Sequence, residues 1–375
     1  MKRLTVIAAG LGYRLLERHA LTEMAGLRFE PKASVFPALT CVAQATLRTS
    51  LPPSRHGILA NGVWLDGLQK PFFWDQSSRL VKGSRIWGRS TGLFFLQQSL
   101  GEDVDVIVSP APIHRHGGGL TMACYTKPSG LAGVLERRCG TFPLWRYWGP
   151  LASAKVGRAC IRHFEATMES CDVDDAFLYL PTLDYAAQRN GPDSPAAKAA
   201  LVEFVRQLEQ IVQWASQRGC SLAVVGDYGI SAVTLAPVSP NVELRRAGLF
   251  RTRDVGGRAY PDFFSSSAFA LCDHEAAVIL GPDRDKAVEV LLATGGYELP
   301  ADQPGAEQGK TVLLAKEGSW CEYRWWDRMR EAPDYARHVD IHNKPGFDPA
   351  ELFFRCSGVV KGTHGRQCEV AFAQA

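Results

Sequence analysis

The sequence lacks three features that would each assign the protein to a class. It contains no apolar run approaching the ~20 residues that a membrane-spanning helix needs. Its charge is nearly balanced: 42 Lys and Arg face 39 Asp and Glu, and the net charge of +3 gives no basis for a nucleic-acid or membrane partner. Its ten cysteines include no C-x-x-C pair, which excludes a zinc knuckle and a thioredoxin motif. Scattered thiols are typical of a reducing compartment, and we expect a cytoplasmic protein.

What the sequence does have is the composition of an ordinary globular protein. Hydrophobic residues make up 46% and charged residues 22% of its 375 positions, a balance that excludes a disordered chain. The length suits one large α/β domain with an insertion, or two domains. At the N-terminus, MKRLTVIAAGLG could begin a signal peptide, but Arg14, Glu17 and Arg18 follow the short apolar run at once. A first strand entering a helix is therefore the favoured interpretation.

A strand–helix–strand unit is the clearest local pattern. Serine and proline at positions 194 and 195 are start signals for a helix whose apolar face runs from Leu201 to Ala215, and Gly219 ends it. The runs at 175–181 and 220–226 are short and apolar, as strands buried on both faces are. Such units build parallel sheets that bind ligands at the carboxyl ends of their strands. Further strands are predicted at 4–9, 104–108 and 268–280.

The composition changes between about 236 and 330. This stretch opens with TLAPVSPN, contains the polar loop ADQPGAEQG and ends in the aromatic cluster WCEYRWW. We therefore predict an α/β core over 1–235, a cap or insertion over 236–330, and a C-terminal return to the core over 331–375.

The sequence contains parts of two nucleotide-binding motifs, but each lacks a required glycine. Gly10 and Gly12 match the first two glycines of the dinucleotide-binding fingerprint, but the third glycine is missing. The run at 305–311 resembles a phosphate-binding loop, but Pro304 stands where that motif requires its first glycine.

The segment at 36–62 carries the most chemical information. Thr40 stands where a helix would begin, PSRHGI follows at 53–58, and Asn61 comes shortly after. If Thr40 begins a helix, the amide of Cys41 would face an incoming phosphate at the positive end of the helix dipole. Taken alone, Thr40 could equally be an ordinary helix N-cap.

Three further blocks follow the first in a fixed order. They are YLPTLDYAAQRNGPDSP with Asp184, VVGDYGI with Asp227, and GTHGR near the C-terminus with His364. In this order and spacing the four blocks resemble the alkaline phosphatase superfamily, specifically its nucleotide pyrophosphatase/phosphodiesterase-like branch. The resemblance implies a central, mostly parallel sheet between helices. It also implies a threonine nucleophile at Thr40, a contact of Asn61 with the transferred group, and metal ligands at Asp184, Asp227 and His364.

The sequence departs from the family pattern at three metal-ligand positions. Ala8 and Ala9 stand where the first strand of the family ends in an aspartate, and Gln188 and Tyr228 replace two histidines. Glutamine and tyrosine are weak substitutes for imidazole toward zinc, so the two-zinc mechanism of the family is in doubt. We expect a divalent cation (zinc, or a harder ion such as magnesium or manganese) and leave the number of ions open.

Other residues could complete such a site. Additional metal ligands are offered by two histidine- and aspartate-bearing loops: His114, His116, Asp340 and His342. Arginines near the blocks could bind phosphate directly through their fork geometry: Arg48, Arg55 and Arg366. The alternative for each of these side chains is that it is an ordinary surface residue with no part in a metal or phosphate site.

These observations predict a hydrolase for a phosphorylated small molecule. Phosphoryl transfer needs an in-line nucleophile and positive charge on the equatorial oxygens, and Thr40 with a cation would supply both. The expected reaction is phosphoester or phosphodiester hydrolysis of the nucleotide pyrophosphatase type at a depleted metal site. Two alternatives stay open: a member that binds a phosphorylated ligand without turnover, and a biosynthetic enzyme with altered transfer chemistry. The oligomeric state is not indicated.

Overall fold

An eight-stranded central sheet organises the chain in a computed structural model, which describes residues 1–337, 344–346 and 360–375. Five neighbouring strands run parallel, and antiparallel strands lie at both edges. Across the sheet the order is Cys124–Lys127, Val106–Pro110, Thr91–Phe94, Asp175–Leu180, Arg3–Ala8, Ser221–Gly226, Glu369–Gln374 and Glu30–Ala33. The prediction of a central, mostly parallel sheet is confirmed.

The strand–helix–strand unit lies in the middle of this sheet. All six residues of Asp175–Leu180 are buried, as expected of a strand covered on both faces. The helix spans Pro195–Gln217, and the Ser194 hydroxyl accepts a hydrogen bond from the backbone N–H of Ala197 at 3.1 Å, which caps its first turn. A second long helix, Val156–Met168, packs against the same strand.

A second sheet with four antiparallel strands lies within the stretch predicted as a cap. Its strands, in order, are Phe269–Asp273, Ala276–Leu280, Thr311–Ala315 and Tyr297–Glu298. The prediction of one continuous strand over 268–280 is wrong, because the polar residues at 273–275 turn the chain into a hairpin. The helices Pro240–Arg246 and Arg284–Ala293 pack against this sheet. The boundaries at 236 and 330 stay a prediction.

The remaining elements are short. The other helices are Tyr13–Arg18, Thr40–Thr49, Pro53–His56, Leu131–Cys139, Leu144–Tyr147 and Asp184–Asn190, with 3₁₀ turns at Ser78–Leu80, Ala306–Gln308, Met329–Glu331 and Asp334–Arg337. Two-stranded ladders join Glu23–Met24 to Leu27–Arg28, Gly62–Leu65 to Lys70–Phe73, Ile113–His114 to Leu120–Thr121, Ser231–Ala232 to Gly362–Thr363, and Thr252–Val255 to Arg258–Pro261. Within the described ranges, no helix has the length and apolar character to cross a membrane.

The helix Thr40–Thr49, called the site helix below, connects the two sheets. Buried side chains form one cluster around the central sheet and another around the second sheet. Although the site helix is close in sequence to the first strands of the central sheet, its Val42 and Ala45 belong to the second cluster. Its first residue therefore lies where the two halves of the structure meet.

Candidate active site

Three parallel strands bring the acidic residues of the second and third blocks to one edge of the central sheet. Ala8, the last residue of its strand, is paired with Leu180 on one side and Gly226 on the other. The chain leaves these neighbouring strands toward Asp184 and Asp227. Both carboxylates thus lie beyond strand carboxyl ends, where open parallel sheets place their ligands.

Thr40 is the first residue of the site helix and faces this edge. Leu39 precedes it in extended conformation. The Cys41 amide, expected from the sequence to face an incoming phosphate, instead donates to Oδ1 of Asn61. The Thr40 side chain is buried but lines a cavity, and it lies beside the phenols of Tyr179 and Tyr228. Burial raises the pKa of both phenols, and contact with Thr40 lowers it. The hydroxyl predicted as nucleophile therefore has polar neighbours in a largely dry environment.

Asn61 lies behind the start of the site helix rather than on the cavity wall. Its Oδ1 accepts a hydrogen bond from the backbone N–H of Cys41 at 2.9 Å. Its Nδ2 donates to Oδ1 of Asp273 at 3.1 Å, and its backbone N–H donates to Oδ2 of the same carboxylate at 2.5 Å. Burial raises the pKa of Asp273 to about 7, and the hydrogen bonds from Asn61 oppose that rise. Both ends of the Asn61 amide are thus engaged, and a contact with the transferred group stays a prediction.

Asp227 is a buried carboxylate with one open oxygen. Its Oδ1 accepts hydrogen bonds from the backbone N–H groups of Gly10 at 3.0 Å and Tyr228 at 2.9 Å. Its Oδ2 is buried and has no hydrogen-bond donor within the part of the chain that the structure describes. Burial raises the pKa of Asp227 well above its ordinary value, and the nearby Asp184 carboxylate adds to that rise. An unpaired buried oxygen of this kind calls for a proton or a cation.

Asp184 is held by the two residues that replace family histidines. Its Oδ1 accepts a hydrogen bond from Nε2 of Gln188 at 2.6 Å and another from the phenol of Tyr228 at 2.9 Å. Burial raises the pKa of Asp184 to about 6, and these two hydrogen bonds lower it. Gln188 and Tyr228 therefore act here as hydrogen-bond donors to the carboxylate.

His364 completes the group from the far end of the chain. Its Nδ1 lies 2.9 Å from the carbonyl oxygen of Ala38 and must donate to it, which leaves Nε2 with its lone pair. Its ring stacks on Tyr228, with centroids 3.6 Å apart and an interplanar angle of 7°. Burial lowers the pKa of His364 to about 3, so the ring is neutral at neutral pH. A neutral imidazole with Nδ1 fixed by a carbonyl is a typical metal-ligand arrangement.

The turn of the second-sheet hairpin brings residues that the sequence analysis did not single out. We call Asp273 to Glu275 the hairpin tip. Its first residue, Asp273, accepts hydrogen bonds from Asn61, and its last, Glu275, accepts one from the backbone N–H of Arg366 at 2.9 Å. Between them, the His274 ring lines the cavity with its centroid 3.8 Å from that of His364. The available signal was a charged triplet, DHE, interrupting an apolar run.

A cavity of about 680 Å³ joins these groups. Of the predicted site residues, Thr40, Asp184 and His364 line it, whereas Asn61 and Asp227 lie behind the wall. His114 also lines the cavity, from an exposed hairpin, whereas His116 is exposed and lies off its wall. Asp340 and His342 lie outside the described residues.

The arginines considered as phosphate ligands do not line the cavity. Arg48 is buried and donates to the backbone carbonyls of Gln97 at 2.5 Å and Gln98 at 2.6 Å. Arg366 donates to the Glu298 carboxylate at 2.8 Å. Arg55 is exposed. In this structure, direct phosphate binding by these three side chains is not supported, because the two that are buried or half-buried have other acceptors.

A mostly parallel sheet of this order, with a threonine-headed helix at its carboxyl edge, is the architecture of the alkaline phosphatase superfamily, of which the chain is a member. Residues 9–348 match the family Type I phosphodiesterase / nucleotide pyrophosphatase, and the chain belongs to that family.

Solved structures with this fold cover the whole chain. A phosphonoacetate hydrolase from Sinorhizobium meliloti 1021, in complex with phosphonoformate, is similar with a TM-score of 0.60 and 14% identity, over 100% of this chain and 89% of that one. Murine ectonucleotide pyrophosphatase / phosphodiesterase 5 is similar with a TM-score of 0.55 and 17% identity, over 100% and 88% of the two chains. At these identities the likeness shows the fold.

The donor set does not fit the two zinc ions of the family. Gln188 and Tyr228 are both turned toward Asp184, and Ala8 and Ala9 present methyl groups at the end of the first strand. Among the described residues, no group of three or more His, Cys, Asp or Glu side chains is arranged to hold a metal ion. Structural zinc sites are built from four ligands and catalytic ones from three, so neither kind is complete here.

Proposed function

We propose that this protein hydrolyses a phosphoester or phosphodiester with Thr40 as the nucleophile. The observation that carries the proposal is the position of Thr40. It begins a helix at the wall of a cavity that also contains Asp184 and His364, beyond the carboxyl ends of the parallel strands. The family supports hydrolysis of phosphoester bonds as the reaction class.

The chain's own residues have defined tasks in this reaction. The Thr40 hydroxyl gives its proton to water and its oxygen forms a bond to phosphorus, while the leaving oxygen departs on the opposite side with the electron pair of the broken P–O bond and takes up a proton from water. The start of the site helix presents the partial positive charge of the helix dipole to the phosphoryl oxygens, although the Cys41 amide itself donates to Asn61. The phenols of Tyr179 and Tyr228 lie beside the Thr40 hydroxyl and orient it. The intermediate is phosphothreonine from a monoester, or phosphothreonine that still carries the second ester group from a diester, and water then attacks phosphorus and releases the Thr40 oxygen, which regains a proton.

One divalent cation fits the site better than two. The open Oδ2 of Asp227 and the hydroxyl of Thr40 would hold it, and a hard cation of this kind takes its remaining ligands from water and substrate phosphate. When bound, such an ion lowers the pKa of a coordinated hydroxyl and neutralises phosphoryl charge. His364 and Asp184 line the same cavity; the Nε2 lone pair and the carboxylate are acceptors, so they would face a donor or a cation and not a phosphate oxygen.

A second candidate function is binding of a phosphorylated ligand without turnover. It is favoured by one observation, the methyl groups of Ala8 and Ala9 where the family has a metal-binding aspartate. Retention of Thr40 at the cavity wall favours catalysis, because a binding protein has no need of a nucleophile.

Turnover of a p-nitrophenyl phosphodiester tests the proposal. We expect release of p-nitrophenol by the wild type with Mg²⁺ or Mn²⁺, loss of that activity in Thr40→Ala, and partial activity in Thr40→Ser. Thr49→Ala is the matched control, since Thr49 ends the same helix and lies off the cavity wall. Mass spectrometry of a quenched reaction should find on Thr40 the phosphoryl group with its remaining ester. Full activity in Thr40→Ala would make the nucleophile assignment wrong.

The metal content of the protein distinguishes a site for one cation from the two-zinc site of the family. Elemental analysis of the purified protein should give at most one equivalent of a divalent ion. Two equivalents of zinc would contradict the single-cation proposal. Absence of turnover on monoesters, diesters and nucleotides with every common divalent ion would favour the binding function.

A further inference from the structure

The walls of the active-site cavity carry little charge. Among the described residues that line it there is no lysine or arginine, and the one carboxylate is Asp184. The buried Arg48 donates to backbone carbonyls, and Arg366 is engaged with Glu298. A nucleotide polyphosphate would bring a second phosphate for which the described lining residues offer no lysine or arginine, and burying an unpaired charge is costly.

One part of the cavity wall is apolar and aromatic. It is formed by the short helix Leu144–Tyr147 and the hairpin strand Leu120–Thr121, with Met122 and Trp148 beside them. Trp145 is 44% exposed and Leu120 is 36% exposed, so large apolar side chains stand at the mouth of the cavity.

Two more apolar residues extend this surface outward. Ile113, on the partner strand of Leu120, is 62% exposed, and Leu151, next to the cavity-lining Pro150, is 53% exposed. Contiguous apolar side chains at the rim of a cavity mark a binding surface for an apolar group. The volume of about 680 Å³ is in the range of cavities that enclose drug-sized ligands.

We propose that the substrate is a phosphoester whose non-reacting group is a long, uncharged alkyl or aryl group. The reaction in this inference rests on the proposed function. The substrate class rests on the residues of the cavity wall. The phosphate lies at Thr40, and the apolar group lies against Trp145, Trp148 and Leu120. A nucleotide, with a polar sugar and base and often a second phosphate, finds fewer partners on this wall.

A series of p-nitrophenyl phosphodiesters tests the inference, with methyl, butyl, octyl or thymidine 5′ as the second ester group. We expect kcat/KM to rise about fourfold for each methylene, the factor that corresponds to about 0.8 kcal/mol, until the apolar wall is covered. The octyl ester should exceed the thymidine ester. A kcat/KM that is flat with chain length, or highest for thymidine, would overturn the inference and leave the hydrolase function intact.

Variants at the cavity mouth give a matched comparison. Trp145→Ala should remove most of the gain from butyl to octyl, so that the ratio of kcat/KM for the octyl ester to that for the butyl ester falls toward one. Phe264→Ala is the control, since Phe264 is 83% exposed and does not line the cavity. Leu120→Lys should lower kcat/KM for the octyl ester and raise it for a nucleotide diphosphate, whereas Leu120→Gln should only lower it for the octyl ester.

Binding without turnover separates this inference from the proposed function. Tryptophans on the cavity wall provide a fluorescence signal for titration of Thr40→Ala with octyl phosphate or thymidine 5′-monophosphate. We expect tighter binding of octyl phosphate. That result together with an inert wild type would refute hydrolysis and keep the ligand class, whereas tighter binding of the nucleotide would refute the ligand class.

Discussion

Replacing Asn61 by alanine should reduce the stability of the protein as well as its activity. Asn61 joins the start of the site helix to the hairpin tip: Oδ1 accepts from the Cys41 N–H, and Nδ2 donates to Asp273. Alanine removes both hydrogen bonds and leaves a buried N–H and a buried carboxylate oxygen without these partners. The backbone hydrogen bond from position 61 to Asp273 is retained, because it does not depend on the side chain.

The expected loss follows from the burial of these partners. A buried polar group left without its hydrogen bond costs about 1–3 kcal/mol, so two such groups give about 2–5 kcal/mol if part of the cost is relieved by relaxation. Asn61, Cys41 and Asp273 are all almost fully buried, so water cannot replace the lost partners without local opening. The loss is therefore a large part of the stability of an ordinary domain.

Urea denaturation at constant pH measures this loss. Asn61→Ala should lower the free energy of unfolding by the stated amount with an unchanged m-value. Asn190→Ala is the matched control, because the Asn190 side chain is exposed and donates only to a carbonyl one helical turn back. A variant that keeps wild-type stability but loses turnover would refute the reasoning and restore Asn61 as a direct donor to the transferred group.

Three further predictions test the charge and packing of the site. Asp273 and Glu275 both have pKa values raised by burial to about 7, so the stability that their neutral forms supply is present below about pH 4 and lost as the pH rises through 7. These two groups should lower the free energy of unfolding by roughly 1–2 kcal/mol between about pH 6.5 and 8.5, and Asp184 and Asp227, whose pKa values are also raised by burial, add to that fall; a flat profile would contradict the raised pKa values. Gln188→His combined with Tyr228→His should tighten zinc binding by about tenfold or more in a calorimetric titration, and unchanged affinity would argue against a vacated zinc position. Gly226→Ala would place a methyl group 2.1 Å from a backbone carbonyl oxygen and should cost about 2 kcal/mol or more in thermal unfolding experiments.

The central sheet was predictable because its signals are local. The capped helix at Pro195–Gln217 and the buried strand Asp175–Leu180 follow from periodicity and end signals within one stretch of chain. The order of the four motif blocks supplied the rest of the architecture through a family resemblance, which physical patterns alone would not have given.

The second sheet shows where local signals end. An apolar run at 268–280 predicts burial, but nothing in its periodicity marks a reversal of direction. Only the charged triplet at the hairpin tip breaks the run, and a charged triplet is normally placed in solvent. Here the triplet is buried, because Asp273 accepts two hydrogen bonds from Asn61 and Glu275 accepts one from the Arg366 backbone. Partners 212 and 91 positions away in sequence cannot be read from a local pattern.

The replacements at Ala8, Ala9, Gln188 and Tyr228 all reduce the repulsion between carboxylates at the site. Two cations normally offset the mutual repulsion of carboxylates at such a site, and with fewer cations that repulsion has to be relieved in other ways. Alanine at the end of the first strand removes one carboxylate, and donors from Gln188 and Tyr228 stabilise the charge on Asp184. Of the Asp184 and Asp227 carboxylates, Oδ2 of Asp227 is the oxygen that is buried without a hydrogen-bond donor among the described residues. This arrangement agrees with the single cation proposed above at Oδ2 of Asp227, with hydrogen bonds from Gln188 and Tyr228 where the family has two histidines.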